Sequence, residues 1–593
     1  MRETLTPTRD SNLPKTSVPL YRVTMSPPES HLFEVSLQVP SWTSPVLNLK
    51  MPVWTPGSYL VREYARQVQY FAACNSETQK PLLTQKLGKN HWQVQTEGVS
   101  SICVTYRVFA NELSVRTNHL DGTHGYFNGA ALFFFIPTWE KEPIHVEIVP
   151  PKPDWKVTTT LPLVPGKNNT FEAPDFDTLV DSPFEIGTQA IYDFEALGKP
   201  HQLAVWGKGN LQCDRLIPDI RKIIEVEEEI YGELPYERYL FLLHLSANGY
   251  GGLEHKDSCS LNYPRLGFRT TEKYNRFIQL VAHEFFHLWN VKRIRPKAFE
   301  TFDYEQENYT TSLWFCEGAT SYYDLIIPLW AGIYDGKAFL EILSKEITRY
   351  LSIPGRNVQP LSESSFDAWI KLYRRDANSD NSQISYYLKG EMISLLLDLL
   401  IRDRHNNQRS LNDVMRKMWQ EFGRDEIGFS PEQLKGTIES VAGIDLTEFF
   451  ARYLDNTDDL PFDEFLSPFG LQLKAVGNGE TIPYLGMKVV SSDNGKATIQ
   501  FVEANSPAGL VGIDPGDELL AIDGLRVTAE QFSDRLQDYQ AGDSVEVAIF
   551  HQEELQLHQV TLAEPRPTRY KVSRVKSPSE SQRALLEGWL KTA

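Results

Sequence analysis

Two histidines and a glutamate in the segment His283-Glu284-Phe285-Phe286-His287 have the spacing of a metal-dependent hydrolytic site. Residues four apart lie one turn apart on the same face of a helix, so both imidazoles can bind one ion. Glu284 would lie beside the metal, where it can take a proton from bound water. Because the flanking residues are apolar, we expect a buried helix, and a buried histidine pair needs partners. The segment therefore predicts a zinc site with a general base.

A third ligand is needed, since a catalytic zinc ion has three protein ligands and leaves its fourth position to water. Glu317 lies 30 residues after His287 as the one acidic residue in the otherwise uncharged segment 311–323. A carboxylate there is costly unless it is paired or bound to metal. Glu317 is therefore the predicted ligand, with a helix cap as the alternative. Asp324 is either an acceptor that orients a ligand histidine or a solvated acid.

A glycine-rich segment with a glutamate follows an apolar strand predicted over residues 239–245. Gly251 and Gly252 would let the backbone approach a ligand closely. Glu254 can meet the positive amine of a substrate. The alternative interpretation is a simple turn at the end of the strand.

The segments 283–289 and 314–318 together resemble the gluzincin aminopeptidases. Within that group the sequence looks like the M61 family, the glycyl aminopeptidases that carry a C-terminal PDZ domain, from about Pro19 to the end. The resemblance implies an aminopeptidase with zinc as cofactor, peptides with a free N-terminus as substrates, and a preference for N-terminal glycine and alanine. Cys316, directly before the predicted ligand Glu317, is interpreted as a packing residue.

The same resemblance implies two substrate contacts. In related aminopeptidases a G-x-M-E-N segment binds the substrate amine, and residues 251–254 look like its counterpart, with His255 in place of the asparagine. Residues 386–390 resemble a Y-x-K-G segment whose tyrosine stabilises the oxyanion. Tyr387 matches by register and Tyr386 is the fallback, while aromatic packing at the start of a helix over Glu391 to Arg402 is the alternative.

Composition narrows the class of protein. The chain has 593 residues, a formal net charge of −19 and five cysteines without C-x-x-C spacing. This charge argues against general nucleic-acid binding. The cysteine count and spacing predict no disulfide framework and a reducing compartment. No apolar run is long enough to span a membrane, and residues 1–18 are predicted to be a disordered tail without a secretory signal, so a cytoplasmic location is expected.

The predicted fold is multidomain. Residues 19–197 alternate as half-buried strands and predict an all-β sandwich. Residues 198–460 predict an α+β, mostly helical, thermolysin-like catalytic domain. The turn 54–59, Trp-Thr-Pro-Gly-Ser-Tyr, either borders the active site or forms a structural corner. The polar loop 374–385 is either a mobile lid or a solvated loop.

A PDZ domain is predicted over residues 471–565, since Ser506-Pro507-Ala508 and the following G-D-x-L and I-x-G segments resemble its signature. Such a domain binds a peptide C-terminus by strand addition. Leu485, Gly486 and Met487 match its carboxylate-binding loop, and a purely structural PDZ domain is the alternative. Residues 566–593 are predicted to be a tail with a short docking helix, capped by a box at Ser577 with Pro578 in the first turn.

Two other functions compete with the aminopeptidase. A zinc endopeptidase would share the metal site without reading a free N-terminus. An inactive PDZ-containing binding protein would lack a ligand or the base, yet His283, Glu284, His287 and Glu317 are all present.

Overall fold

The computed structural model describes residues 17–476 and 482–591. These residues form two compact units. Unit 1 contains the residues up to Ile217, then Pro235–Leu280 and Phe302–Glu307. Unit 2 contains Pro218–Leu234, Val281–Thr301 and the residues from Asn308 onward. Most of the predicted N-terminal tail, residues 1–16, lies outside the described residues.

The N-terminal part of unit 1 is rich in short strands, as predicted. They are β1 (Leu20–Thr24), β2 (Leu32–Val39), β3 (Val46–Lys50), β4 (Val68–Asn75), β5 (Pro81–Leu82), β6 (Thr84–Lys86), β7 (His91–Gln95), β8 (Ile102–Phe109), β9 (His119–Leu120), β10 (His124–Phe127), β11 (Ile144–Val149), β12 (Lys156–Thr158), β13 (Thr170–Ala173) and β14 (Phe184–Gly187). One short helix, α1 (Phe176–Val180), lies among them.

These strands make three sheets, of seven strands (β13-β11-β1-β2-β8-β4-β5), four strands (β12-β14-β10-β9) and three strands (β3-β7-β6). Strand β2 shows why they pack. Phe33, Val35 and Leu37 alternate with more exposed neighbours and are buried, as the period of two requires. The prediction of a β-rich N-terminal domain is confirmed.

A five-stranded sheet completes unit 1. It contains β15 (Ala190–Ala196), β16 (Lys199–Trp206), β17 (Tyr239–Ser246), β18 (Gly251–Glu254) and β19 (Ser258–Pro264), in the order β15-β16-β17-β19-β18. Strand β17 is parallel to both of its neighbours and buried over Tyr239–Leu245. The short strand β18, which carries the predicted substrate residues, is an edge strand of this sheet within the described part of the chain.

Two long helices alternate with this sheet along the chain, α2 (Cys213–Tyr231) between β16 and β17, and α3 (Thr271–Phe286) after β19.

Helices dominate the first part of unit 2, as predicted. A π-helical turn, Trp314–Ala319, leads into α4 (Thr320–Trp330), and the helices that follow are α5 (Gly336–Leu351), α6 (Leu361–Phe366), α7 (Ser379–Ser382), α8 (Tyr386–Arg404), α9 (Leu411–Met418), α10 (Pro431–Ala442), α11 (Thr447–Tyr453) and α12 (Phe462–Leu466). Helix α8 was predicted to begin at Glu391 but begins at Tyr386, because Ser385 caps it. The two predicted tyrosines therefore lie in its first turn.

The C-terminal part of unit 2 is a PDZ domain, which confirms the prediction. Its elements are β21 (Met487–Ser491), β22 (Ala497–Val502), α13 (Pro507–Leu510), β23 (Glu518–Ile522), β24 (Leu525–Arg526), α14 (Phe532–Leu536), β25 (Ser544–His551) and β26 (Glu554–Thr561). On either side of them in the chain, β20 (Leu471–Ala475) and β27 (Tyr570–Arg574) pair with each other in a separate two-stranded sheet. The main sheet runs β21-β22-β23-β25-β26, so β21 is an edge strand among the described residues. Helix α15 (Glu580–Leu590) follows.

Helix α15 corrects the predicted cap. Ser579, and not Ser577, is the capping residue, and Gln582 completes the capping box. Pro578 therefore precedes the cap and does not occupy the first helical turn. The predicted docking does occur, since Leu585, Leu586 and Trp589 are buried.

No helix among residues 17–476 and 482–591 is long and apolar enough to cross a membrane.

Candidate metal centre and substrate segments

The two histidines of the H-E-x-x-H segment lie at the end of α3. The His287 amide donates to the His283 carbonyl at 3.3 Å, so the helical turn continues through the second histidine. Their rings lie 4.6 Å apart between centroids, at 87° to each other. Phe285, Phe286 and Leu288 are fully buried around them, which holds the imidazoles in fixed positions.

Glu317 brings a carboxylate between the two imidazoles. Its Oε2 lies 3.6 Å from Nε2 of His283 and 3.2 Å from Nε2 of His287. The buried π-helical turn that carries it is a form of backbone that occurs frequently at functional sites. Three ligand-type atoms therefore meet at one point, as the sequence predicts.

The other nitrogen of each imidazole is bound to an acceptor. Nδ1 of His283 lies 2.8 Å from Asp324 Oδ2, and Nδ1 of His287 lies 2.6 Å from the Asn290 carbonyl. An acceptor at Nδ1 places the proton there and leaves Nε2 with a lone pair for a metal. Asp324 thus lies in the predicted position, whereas Asn290 was not predicted; its position three residues after His287 was the available signal.

Burial and charge act in opposite directions on this cluster. Burial raises the pKa of Glu317, but the two histidines outweigh it and leave this pKa below its ordinary value. Burial also raises the pKa of Asp324, to about 6. For His283, burial lowers the pKa, yet the surrounding carboxylates raise it well above its ordinary value. The cluster therefore has an excess of negative charge that favours a cation.

Glu284 lies in the same helix between the two histidines and is 4% exposed. Its negative charge contributes to the raised pKa of His283. One carboxylate oxygen of Glu284, the predicted general base, lies within 4.8 Å of a ring nitrogen of His287.

A tyrosine cluster stands next to His283. The ring of Tyr387 lies 6.3 Å from the His283 ring and nearly parallel to it. Tyr386 is fully buried, and burial raises its pKa well above the ordinary value. The Tyr387 hydroxyl meets the hydroxyl of Tyr373 at 3.1 Å. Tyr373 lies just before the polar loop 374–385, and no sequence motif identified it as a site residue.

Two glycines explain how the glutamate and the tyrosine come together. A Cβ on Gly318 would lie 2.5 Å from Gly390 Cα, and a Cβ on Gly390 would lie 2.6 Å from the Trp314 carbonyl oxygen. The π-helical turn and α8 therefore pack backbone against backbone, which only glycine permits. These are the glycines that follow Glu317 and Lys389 in the two family-like segments.

The predicted amine-binding segment forms strand β18 in unit 1. Glu254 is 4% exposed, and its Oε1 has no hydrogen-bond partner among the described residues. A Cβ on Gly57 would lie 2.6 Å from that oxygen, so the turn 54–59 packs directly against Glu254. His255, which replaces the expected asparagine, contacts Asp181 at 3.2 Å. Gly252 accepts a hydrogen bond from Arg116.

The predicted carboxylate loop of the PDZ domain turns at Gly486. Gly486 has φ of +85°, and a Cβ there would meet the Ser506 side chain at 2.0 Å. The carbonyls of Leu485 and Gly486 accept from Ala508 and Glu503. The loop leads directly into Met487 and the edge strand β21.

The polar loop 374–385 contacts the PDZ domain. It contains helix α7, and Asn381 forms two hydrogen bonds with the PDZ strand β22 and the residues after it. Its amide donates to the Val502 carbonyl at 3.0 Å, and its oxygen accepts from the Ala504 amide at 2.9 Å. The loop thus connects the PDZ domain with the helix that carries the tyrosines.

Family models match three parts of the chain: the peptidase M61 N-terminal domain over residues 20–188, M61 glycyl aminopeptidase over 276–393, and a PDZ domain over 483–562. A solved aminopeptidase N family protein from Idiomarina loihiensis is 32% identical, with a TM-score of 0.90 over 97% of this chain and 100% of that one. No curated protein sequence matches this one.

Two other solved structures are more distant. An M1 zinc metallopeptidase from Deinococcus radiodurans is 12% identical with a TM-score of 0.45, covering 75% of this chain and 95% of that one. Native yeast LTA4 hydrolase is 13% identical with a TM-score of 0.45, covering 74% and 67%.

A β-rich N-terminal part, a helical part with the H-E-x-x-H helix and a C-terminal PDZ domain define a multidomain peptidase. The chain belongs to the M61 peptidase family.

Proposed function

We propose that this peptidase is a zinc-dependent aminopeptidase that releases small N-terminal residues, glycine and alanine, from peptides. The observation that carries the proposal is the convergence of Nε2 of His283 and Nε2 of His287 on one oxygen of Glu317. Two imidazoles, one carboxylate and an open fourth position are the ligand set of a catalytic zinc site.

The residues present fit a zinc ion. Asp324 and the Asn290 carbonyl accept from Nδ1 of the two histidines, so the neutral tautomer of each ring presents the lone pair of Nε2 toward Glu317. When bound there, zinc supplies Lewis-acid chemistry and lowers the pKa of water. His283, His287 and Glu317 would hold it, and Asp324 would orient His283.

The reaction is then divided among residues of this chain. Glu284 takes a proton from the attacking water and delivers it to the leaving amine. Tyr387 donates its hydroxyl to the oxygen of the scissile carbonyl as negative charge develops there. Tyr373, whose hydroxyl meets that of Tyr387, holds the donor in place.

Restriction to the first peptide bond rests on Glu254. A buried carboxylate with an oxygen that no described residue satisfies is destabilised unless a cation arrives. A substrate ammonium group is such a cation, and it forms a charge-assisted hydrogen bond with the oxygen. Gly251 is partly exposed in the same strand β18, and its lack of a side chain lets a peptide approach the backbone there.

The PDZ domain is proposed to bind a peptide C-terminus. The support is the loop Leu485-Gly486-Met487 and the edge strand β21 that follows it, because this mode of binding uses backbone amides for the carboxylate and strand addition for the chain.

The aminopeptidase assignment is tested with glycyl and alanyl anilides and their N-acetylated forms. Only the free amines should be cleaved, since an acetylated nitrogen carries no charge for Glu254. Equal cleavage of the blocked substrates would assign an endopeptidase instead. Activity should be lost with a chelator and restored by zinc, with metal content measured in parallel.

The general base is tested by Glu284→Gln. We expect turnover to fall by about 10²–10⁴-fold, the typical contribution of a positioned acid–base group, while one zinc per chain remains bound. Glu341→Gln, an exposed position on α5, is the matched control. Retained turnover in Glu284→Gln would remove this residue as the base.

A further inference from the structure

A depression of about 450 Å³ on unit 1 gathers positive charge. Arg265, Lys273 and Arg276 line it together with the rings of Tyr250 and Tyr263, and we call these five residues the cationic pocket. None of the nine described residues that line it is acidic. In a chain with a formal net charge of −19, the three cationic side chains of this lining favour an anion.

The pocket is held in shape by its aromatic side chains. The guanidinium of Arg276 lies 4.1 Å from the centroid of the Tyr250 ring, and the Tyr263 hydroxyl donates to the Lys273 carbonyl at 2.6 Å. A Cβ on Gly267 would lie 2.5 Å from the Tyr263 ring, so glycine is needed for this packing. The Arg276 guanidinium is therefore held over the Tyr250 ring, and the backbone that carries Lys273 is tied to Tyr263.

The turn that carries Tyr250 is fixed as well. The Ser246 hydroxyl donates to Asn262 Oδ1 at 2.7 Å and accepts from the Gly249 amide at 2.8 Å. Helix α3 begins at Thr271, which places Lys273 and Arg276 in its first two turns. The partial positive charge of a helix N-terminus adds to that of the side chains.

The cationic pocket lies at one end of the edge strand β18, and Glu254 lies at the other. Gly251 pairs with Asn262 and Glu254 pairs with Cys259, so the end at Gly251 is next to Tyr250 and Tyr263. Three residues of strand separate the two ends, which is about 10 Å at 3.3 Å per residue. Both ends belong to the same compact unit.

We propose that the cationic pocket binds a carboxylate on the third or fourth residue of the peptide substrate, counted from its N-terminus. This inference rests on the proposed function, because it takes the substrate amine to be at Glu254. An extended peptide whose amine is at Glu254 and whose chain follows β18 brings its third or fourth residue to the pocket. The enzyme then favours tripeptides and tetrapeptides, whose C-terminal carboxylate arrives there.

The position of Arg116 supports a peptide substrate that runs from Glu254 toward the cationic pocket. Its Nη2 donates to the Gly252 carbonyl at 3.0 Å, and its Nη1 lies 3.8 Å from the position of a Cβ on Gly251. A guanidinium therefore lies between the carboxylate of Glu254 and the cationic pocket. The strand presents negative charge at one end and positive charge toward the other, which matches the charges of a short zwitterionic peptide.

The test compares peptide acids with their amides. For the tetrapeptide Gly-Ala-Ala-Ala we expect kcat/KM to be about tenfold higher for the free acid than for the C-terminal amide, since charge-assisted hydrogen bonds of this kind are of that size. The ratio should be near one for the dipeptide, whose carboxylate does not reach the pocket. A ratio of one for the tetrapeptide, or the same ratio at every length, would overturn the inference.

Variants of the cationic pocket test whether it causes the difference in kcat/KM between the peptide acid and its amide. In Arg265→Gln/Lys273→Gln the acid-to-amide ratio should fall to about two or less, and Arg269→Gln, an exposed cation of the same segment outside the pocket, is the matched control. If the acid-to-amide ratio is unchanged in the double variant, another part of the chain, for example the PDZ loop, recognises the carboxylate, and the proposal is wrong. Raising the salt concentration should lower the wild-type ratio, because exposed charges are screened.

Two further comparisons separate the alternatives. Gly-Ala-Ala-Asp-amide and Gly-Ala-Ala-Asn-amide differ only in one acidic side chain. A higher kcat/KM for the aspartyl peptide shows that the pocket also accepts side-chain carboxylates. Equal values of kcat/KM show that the pocket binds only the carboxylate at the end of a chain. Cleavage of glycyl anilide, which has no carboxylate, reports on the proposed function alone. If glycyl anilide is not cleaved, the aminopeptidase assignment is refuted. If it is cleaved but the tetrapeptide acid and its amide have the same kcat/KM, only carboxylate binding at the cationic pocket is refuted.

Discussion

At the scale of single residues, two clusters of ligand-type side chains differ in a way that assigns them different roles. In the candidate metal centre both imidazoles face the same oxygen of Glu317, at 3.6 and 3.2 Å. In unit 1, His124 and His244 each meet a different oxygen of the buried Glu185, at 2.9 and 2.7 Å. The first geometry leaves a shared position for a metal, and the second is a pair of hydrogen bonds.

Glu185 makes the stability of the protein depend on pH. Burial raises its pKa, but His124 and His244 outweigh it and lower the pKa to about 2. A carboxyl group whose pKa is depressed in the folded state stabilises that state above its ordinary pKa near 4.5 and loses this contribution as pH falls toward 2. A shift of this size corresponds to about 3 kcal/mol.

We therefore predict that Glu185→Gln lowers the free energy of unfolding by about 3 kcal/mol at pH 7, and that its difference from wild type narrows as pH falls from 4.5 to 3. Denaturant unfolding at a series of pH values measures this. Glu237→Gln, at a fully exposed side chain, should match wild type throughout. A difference that stays constant across this range would show that Glu185 does not carry the pH dependence.

Some of the residues in these two clusters could be predicted from the sequence and others could not. The spacing of His283, Glu284 and His287 identified the helix positions because helical geometry is local. Asp324 was predicted only as one of two alternatives, and Tyr387 needed the family resemblance, yet both lie next to His283. Tyr373 and the cluster at Glu185 could not be predicted, because their partners lie far apart in the chain and only the folded sheets and helices bring them together.

At the scale of elements, the close packing of the π-helical turn against α8 positions Glu317 relative to Tyr387. The contact depends on Gly318 and Gly390, whose backbones touch. A side chain at either position forces the two elements apart, as overpacking of a dense interior does. The sequence showed these glycines only as parts of two motifs, and the structure gives the physical reason for them.

Gly390→Ala is predicted to lower the free energy of unfolding by about 1–3 kcal/mol and to reduce kcat more than it weakens metal binding. Gly436→Ala is the matched control, since it is also a helical glycine but has open space around it. That control should be neutral or stabilising by up to about 1 kcal/mol, because alanine favours helix. Equal behaviour of the two variants, in both unfolding and kcat, would refute a special role for Gly390.

At the scale of the whole molecule, the domain types were predictable but their internal borders were not. The β-rich and helical parts follow from strand alternation and helix signals, and the PDZ part follows from the resemblance of its motifs to the PDZ signature. The compact units cut across helices α2 and α3, at Ile217 and at Leu280. Hydrophobic periodicity is a local signal, so it marks where an element lies and cannot show which unit packs each end of a long helix.

The end of the described chain is tied to the helices of unit 2. Trp589 of α15 is fully buried, and its ring packs edge-on against Phe339 and Phe469. Its Nε1 donates to the Tyr322 hydroxyl at 3.0 Å, and that hydroxyl in turn donates to Asp398 at 2.5 Å. Because Tyr322 lies on α4, this network anchors the helix that also carries Asp324. We therefore expect α15 to stabilise the helical part as a whole.

Trp589→Ala is predicted to cost about 3–5 kcal/mol, the usual range for removing a buried tryptophan, and to lower the unfolding temperature by several degrees. Trp589→Phe should recover most of this loss, because it restores the apolar contacts without the hydrogen bond to Tyr322. Glu587→Ala, an exposed position on the same helix, is the control. Calorimetric unfolding of the full chain distinguishes these variants. An unchanged unfolding temperature in Trp589→Ala would mean that the helical part is stable without this anchor.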